Sequence, residues 1–132
     1  MVKLSREANY MARLLVVYVI GIFLLTPLGL ETRPASKFTT LGVATLGLVF
    51  VGLALNVISL ILTLRHYNRS PIFGIVGSIL YFPAAVADQT GQFSTLSPPA
   101  GITYVEVIEA IVAIGIIILG ARVLRKKQVS VA

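Results

Sequence analysis

Cysteine is absent from this 132-residue sequence, which excludes disulfide bonds, thiolate nucleophiles, cysteine-bound metals and dithiol redox chemistry. Charge is also scarce, because only 12% of the residues are Asp, Glu, Lys or Arg, against roughly 25% in an ordinary globular domain. With a single histidine, a transition-metal site would have to be built from carboxylates, and their spacing specifies none. We therefore predict no metal, no cofactor and no enzyme activity.

Apolar sequence is abundant instead, at 57% of the residues. Four long apolar runs cover residues 14–30, 41–64, 71–87 and 102–124. Each meets the roughly 17 to 25 residues that a helix needs to cross a bilayer, and in lipid each must be helical, since no water is there to bond an exposed backbone. We predict a single all-α domain over residues 1–132, an integral membrane bundle of four transmembrane helices with short connections and an outer loop at 88–101. Pro83 either kinks the third helix or ends it.

The basic residues are placed unevenly around these runs. Only Arg33 and Lys37 fall in the first loop, and the third loop has none. The other nine flank the opposite ends of the runs: Lys3, Arg6, Arg13, Arg65, Arg69, Arg122, Arg125, Lys126 and Lys127. Because cytoplasmic segments carry the excess of Lys and Arg, we predict that both termini are cytoplasmic, in a protein of the cell membrane. No basic face with stacking aromatics is visible, so we expect no binding to nucleic acid.

The first run also resembles a secretory signal peptide, with a basic start, an apolar stretch and small residues near its end. Cleavage would leave three spans and place the new N-terminus outside. We expect the run to be retained as a helix.

Small and polar residues line one face of three of the predicted helices. Helical spacing groups Thr45, Gly52, Asn56, Ser59 and Thr63 in the second span, Gly74, Ser78, Tyr81 and Ala85 in the third, and Glu106, Ala110, Ala113, Ile117 and Gly120 in the fourth. Such stripes are typical of helix packing, because small residues allow close approach and polar side chains bond between helices. A solute pathway is the alternative. The polar positions Thr45, Asn56, Ser59 and Tyr81 are candidates for either role.

Two carboxylates, Glu106 and Glu109, interrupt the fourth run. The twelve residues between Glu109 and Arg122 rise only about 18 Å, which is too little to cross the hydrocarbon. The helix must therefore include residues before position 110. We expect Glu109 within the hydrocarbon and Glu106 near its boundary, with Asp88 at a similar depth.

Acidic side chains at membrane depth need a reason, because a charge there costs several kcal/mol and usually meets a partner. Glu109, Glu106 and Asp88 are therefore candidates for a proton or cation site. The alternative is that Glu106 and Glu109 are ion-paired, either with Arg33 or Lys37 of the first loop or with a partner subunit. We favour this structural role for Glu106 and leave both roles open for Glu109.

Two functions of different classes fit these features. The first is a non-catalytic membrane subunit that packs within a larger complex or a homo-oligomer, with the lipid bilayer and other subunits or copies of itself as partners. The second is a compact proton- or cation-coupled transporter or channel that uses Glu109. The small size and the small-residue stripes favour the subunit, and the embedded acids favour transport. We favour the subunit.

Overall fold

Helices dominate the computed structural model, which describes residues 3–131 and, within the last helix, side chains through residue 126. The helices are α1 (Arg6–Leu24), α2 (Thr40–Leu64), α3 (Ser70–Ile79), α4 (Phe82–Gln89) and α5 (Ala100–Val131). A turn of 3-10 helix, Ala35–Lys37, lies between α1 and α2. The predicted all-α class is thus confirmed for this part of the chain. The side chain of Lys127, one of the predicted basic set, lies outside it.

Four helical segments are long and apolar enough to cross a membrane, as hydropathy predicts. They are α1, α2, the pair α3 and α4 taken together, and α5 through Lys126. Their outward faces carry large apolar side chains such as Val43, Ile108 and Ile111, each more than half exposed. An apolar surface of this extent marks contact with lipid or with another protein. The four helices indicate a multi-pass membrane protein.

The first helix begins and ends earlier than the predicted span of residues 14–30. Ser5 caps it by accepting a hydrogen bond from the N–H of Ala8 at 3.2 Å, and serine is a preferred residue at this position. The helix ends at Leu24, shortly before Pro27, whose ring disfavours helix in the residue before it. The N–H of Leu30 then donates to the carbonyl of Leu24 at 2.7 Å and closes a turn.

Pro83 divides the third span into α3 and α4. Its nitrogen has no hydrogen to donate to the carbonyl of Ile79, so the hydrogen-bond ladder is interrupted. The chain tightens at Tyr81, whose N–H donates to the carbonyl of Ser78 at 3.3 Å. Helix resumes with Pro83 in the first turn of α4, where the missing N–H is not needed. The third span therefore consists of two helices, α3 and α4, with the break just before Pro83.

The helices run up and down, so the two ends of the described chain lie at the same end of the bundle. There Lys126 near the end of α5 bonds to Glu7 at the start of α1. At the opposite end, the hydroxyl of Thr39 donates to the carbonyl of Gln92 at 2.5 Å and joins the first and third loops. We call the first the basic end, because eight of the flanking Lys and Arg residues with described side chains belong to it, and the second the loop end.

Close helix contacts depend on glycine at the α2–α3 interface. A Cβ atom added to either Gly52 or Gly77 would come within 2.6 Å of the other's carbonyl oxygen. Both positions must therefore lack a side chain for α2 and α3 to pack at this distance. Helix α1 packs mainly along α5. The core between the helices includes Met11, Leu15, Tyr18, Ile22, Val112, Ala113 and Ile116.

Candidate functional site

Arg33 is buried among carboxylates at the loop end. It is 6% exposed and forms a fork with Glu31 at 2.9 and 2.8 Å and a second fork with Asp88 at 2.8 and 3.0 Å. Bidentate pairs of this kind are the strongest ion pairs that proteins form. Glu31 and Arg33 come from the turn after α1, whereas Asp88 belongs to α4, so the pairs fix the first loop to the third span.

The charge of Arg33 is stabilised despite its burial. Burial alone would lower the pKa of the guanidinium, but the hydrogen bonds and charges of Glu31 and Asp88 raise it above its ordinary value. Arg33 is therefore a permanent cation. The sequence predicted pairing of Arg33 or Lys37 with Glu106 or Glu109, but Arg33 pairs with Glu31 and Asp88 instead, and Lys37 forms no ion pair with the described acids.

Glu106 lies beside this ion pair without bonding to Arg33. Its Oε2 accepts a hydrogen bond from Gln89 at 2.5 Å, and the hydroxyl of Tyr81 donates to its backbone carbonyl at 2.7 Å. Glu106 thus joins α5 to α4 through Gln89. We call Glu31, Arg33, Asp88, Gln89 and Glu106 the Arg33 cluster.

A small cavity of about 50 Å³ adjoins the Arg33 cluster. Its lining includes Arg33, Asp88 and Glu106 together with the apolar residues Val49 and Ile102. A water molecule occupies about 30 Å³ in the liquid, so the cavity has room for one or two waters or a small ion. A larger solute does not fit it.

Glu109 lies one helical turn further into the bundle and is 1% exposed. Its Oε2 atom has no hydrogen-bond partner in the described part of the chain. The carboxyl group packs directly over Gly21 of α1, where a Cβ atom would overlap it. Glu109 thus faces protein, as the helical stripe predicts, but no described Lys or Arg pairs with it.

Tyr18 is a second buried polar group near Glu109. Its side chain is fully buried, its hydroxyl has no partner among the described residues, and it lies three residues before Gly21, the residue over which the Glu109 carboxyl group packs. Its ring meets that of Tyr81 edge to face, with 6.2 Å between centroids. Glu109, Tyr18 and Gly21 form what we call the Glu109 site.

The polar face of α2 bonds to α3. Ser59 donates to the backbone carbonyl of Ser70 at 2.8 Å, and Thr63 donates to the hydroxyl of Ser70 at 2.8 Å. Asn56 reaches Ser78 at 3.5 Å, which is the long limit for such a bond, and its Oδ1 atom has no partner in the described chain. We call these residues the Asn56 ladder.

Thr45, the remaining polar candidate, is buried but bonds within its own helix. Its hydroxyl donates to the carbonyl of Gly42 at 3.0 Å. It therefore joins neither the Arg33 cluster nor the Asn56 ladder.

Tyr18 and Glu31 are among the site residues that were not singled out in the sequence. Tyr18 shares its helical face with Met11, Leu15 and Ile22, at spacings that mark a buried stripe, so its burial was detectable. Glu31 lies two residues before Arg33, but its role depends on how the turn after α1 folds back, and no local pattern indicates this.

Comparison with known proteins identifies no relative. No family model matches the chain, and neither the curated proteins nor the solved structures contain a significant match. Among the described residues, no group of three or more His, Cys, Asp or Glu side chains is arranged to hold a metal ion. The class defined by the fold is therefore a helical protein with four segments able to span a membrane and polar clusters buried between them.

Proposed function

We propose that this chain is an integral membrane protein, with both termini in the cytoplasm, that serves as a non-catalytic subunit of a larger membrane complex or of its own homo-oligomer. The orientation is supported by the charges, since nine of the eleven Lys and Arg residues flank the same ends of the four apolar runs in the sequence. Cytoplasmic segments carry such an excess.

The observation that carries the subunit proposal is that buried polar side chains mainly tie the chain to itself. Arg33 and Asp88 join a loop to α4, and Ser59 and Thr63 join α2 to α3. Interhelix bonds of this kind stabilise membrane bundles. Polar side chains that form fixed contacts within the bundle fit a structural subunit better than a transporter, whose helices have to move.

A face of α2 offers a surface for a neighbouring subunit. Ala44, Gly47 and Ala54 are exposed there and share one side of the helix, at spacings of three and seven residues. Nothing lies within 4 Å of a Cβ atom built on Gly47. Small residues pointing outward permit another transmembrane helix to approach closely, so we place the subunit contact at this face.

Copurification from native membranes tests the subunit proposal. The wild-type chain should elute with a stable partner or as a homo-oligomer. The Gly47→Phe variant should lose that partner or dissociate into monomers. Ile111→Phe is the matched control, because it adds a ring to an exposed position on α5. The subunit role is contradicted if the wild-type chain is monomeric and has no partner in mild detergent. The α2 contact is contradicted if Gly47→Phe and Ile111→Phe retain the partner equally.

A proton- or cation-coupled transporter is the second candidate, and the Glu109 site favours it. A carboxyl group buried in the bundle with an unpartnered oxygen, beside an unpartnered tyrosine hydroxyl, is the kind of intramembrane acid that marks ion pathways. Ion flux into liposomes should then depend on Glu109 and be lost in Glu109→Gln, with Glu7→Gln as the acid control at the basic end. Unchanged flux and assembly in Glu109→Gln would remove Glu109 from both functions.

A further inference from the structure

A groove at the basic end has no role in the subunit contact or the Glu109 site. It opens between the start of α1, the turn from α2 to α3 and the end of α5, and its volume is about 480 Å³. This falls in the range of roughly 300–1,000 Å³ that is typical of small-molecule sites. Three separate parts of the chain converge on it, so the groove is a feature of the folded bundle.

The rim of the groove is basic. Lys3 and Lys126 line it, and exposed Arg65 and Arg69 lie in the adjoining turn. Glu7 is the only one of the five acids that lies at this end, since the others are Glu31, Asp88, Glu106 and Glu109. Glu7 bonds to Lys126, which leaves Lys3 as the lysine of the rim without an acidic partner among the described residues.

The floor of the groove is apolar, and its wall carries hydrogen-bonding groups. Leu4 and Val123, both partly exposed, give the floor its apolar surface over the buried residues Ala8 and Met11, and Asn68 lies at the wall. His66, also in the wall, holds its turn with a left-handed backbone, at φ 60°. Its N–H donates to the carbonyl of Thr63 at 3.0 Å, as in the turn that usually ends a helix with glycine.

The position of the groove favours a lipid over a soluble anion. Leu64, the last residue of α2, is 57% exposed and marks where the apolar outer surface begins. The groove therefore lies at the level where lipid headgroups meet hydrocarbon. A free phosphate would gain nothing from the apolar floor, whereas the glycerol and upper acyl carbons of a phospholipid would cover it.

We propose that this groove binds the headgroup of an anionic phospholipid, with the phosphate next to Lys3 and the glycerol backbone over Val123. The site requires membrane insertion, but it does not depend on the subunit role or on transport. Bound lipid would fix the start of α1 against the end of α5 at the membrane surface.

Native mass spectrometry of the full chain in nonionic detergent tests this proposal, with phosphatidylglycerol and phosphatidylcholine supplied in equal amounts. Phosphatidylglycerol should be retained in preference. Lys3→Gln should weaken its binding about five-fold, which is the contribution of one lysine near an anionic lipid surface. Glu7→Gln should strengthen it, because Lys126 is released to the lipid. Lys37→Gln, an exposed lysine at the loop end, should leave it unchanged.

Four results would overturn the proposal. Equal retention of the two lipids would show that charge is not recognised. An equal loss in Lys3→Gln and Lys37→Gln would show a diffuse attraction without a site. Binding of inorganic phosphate or glycerol 1-phosphate as tight as that of phosphatidylglycerol would assign the groove to a soluble anion. An unchanged affinity in Lys3→Gln that keeps the helical circular dichroism of the wild type would exclude Lys3 from the site.

Discussion

Replacement of Arg33 by methionine should destabilise the bundle more than any exposed substitution. The change removes the guanidinium but keeps a long apolar side chain, so it tests charge more than volume. Glu31 and Asp88 would then lie buried with no cation to compensate them. The first loop would also lose its attachment to α4.

The magnitude follows from burial. Removal of one partner of a buried ion pair costs about 3–5 kcal/mol, because the other charge remains in a poorly solvated place. Loss of an exposed ion pair costs about 0–1 kcal/mol. Arg33 and Asp88 have side chains only 4% exposed, so we expect a loss of about 3–5 kcal/mol in the free energy of unfolding.

Equilibrium unfolding in mixed micelles of dodecyl maltoside and SDS, followed by far-ultraviolet circular dichroism, measures this loss. Lys37→Met is the matched control, since Lys37 is an exposed cation of the same loop, and it should change stability by less than about 0.5 kcal/mol. The double variant Arg33→Met/Asp88→Asn should be destabilised by less than the sum of the two single variants, and the difference is a coupling energy of about 0.5–3 kcal/mol.

The reasoning fails if Arg33→Met and Lys37→Met have equal effects. Arg33 would then be solvated, and the first loop would not be fixed to α4. Strict additivity of Arg33→Met and Asp88→Asn would likewise show that the two residues do not interact. Either result would also remove the observation on which the subunit proposal depends.

Three further predictions, which use five substitutions, are tested by thermal unfolding in detergent. Gly21→Ala should lower stability, because the added Cβ atom overlaps a buried carboxyl group. Gly47→Ala is the control: its Cβ atom meets open space, so it should be neutral or stabilise by up to about 1 kcal/mol through helix propensity. A gain in stability in both variants would refute the overlap. Tyr81→Phe should lower the free energy of unfolding by about 1 kcal/mol, because its hydrogen bond is lost, whereas Tyr18→Phe should leave it unchanged. A larger loss of stability in Tyr18→Phe than in Tyr81→Phe would show that the Tyr18 hydroxyl has a partner. His66→Gly should stabilise by about 1 kcal/mol, since glycine adopts the left-handed backbone without strain, and a loss of stability would mean that the imidazole makes a compensating contact.

Hydropathy predicted the number of helical segments, because a run of apolar residues long enough to cross a bilayer has few other solutions. It misplaced the first helix, because the mean hydropathy falls at Arg6 and Arg13, although the helix includes both residues. Ser5 followed by Arg6 and Glu7 does contain the local signal for the start, a capping serine with an acid in the first turn.

Tertiary contacts account for what the sequence could not predict in the candidate sites. Helical spacing placed Glu109 on the inward face, and it is buried there. The partners of Arg33 were predicted wrongly, because the choice of Glu31 and Asp88 over Glu106 and Glu109 depends on how the turn after α1 folds back. That turn is set by Pro27 and by backbone bonds such as that from Leu30 to Leu24, which no periodic pattern encodes.

The position of Arg33 also separates the two proposed functions. Glu109 lies one turn further from the loop end than Glu106, about 4.5 Å along α5, so a cation that approaches Glu109 from the loop end passes a fixed positive charge at Arg33. Glu31 and Asp88 offset that charge, so Arg33→Met leaves two carboxylates without their cation. Transport of a cation by that route should therefore become faster, because the entrance becomes more negative, even as the bundle loses stability. A structural subunit predicts lost stability and lost assembly with no flux to accelerate. Liposome flux measured on the same variant thus distinguishes the roles, and flux that is present but unchanged in Arg33→Met would exclude entry past the Arg33 cluster.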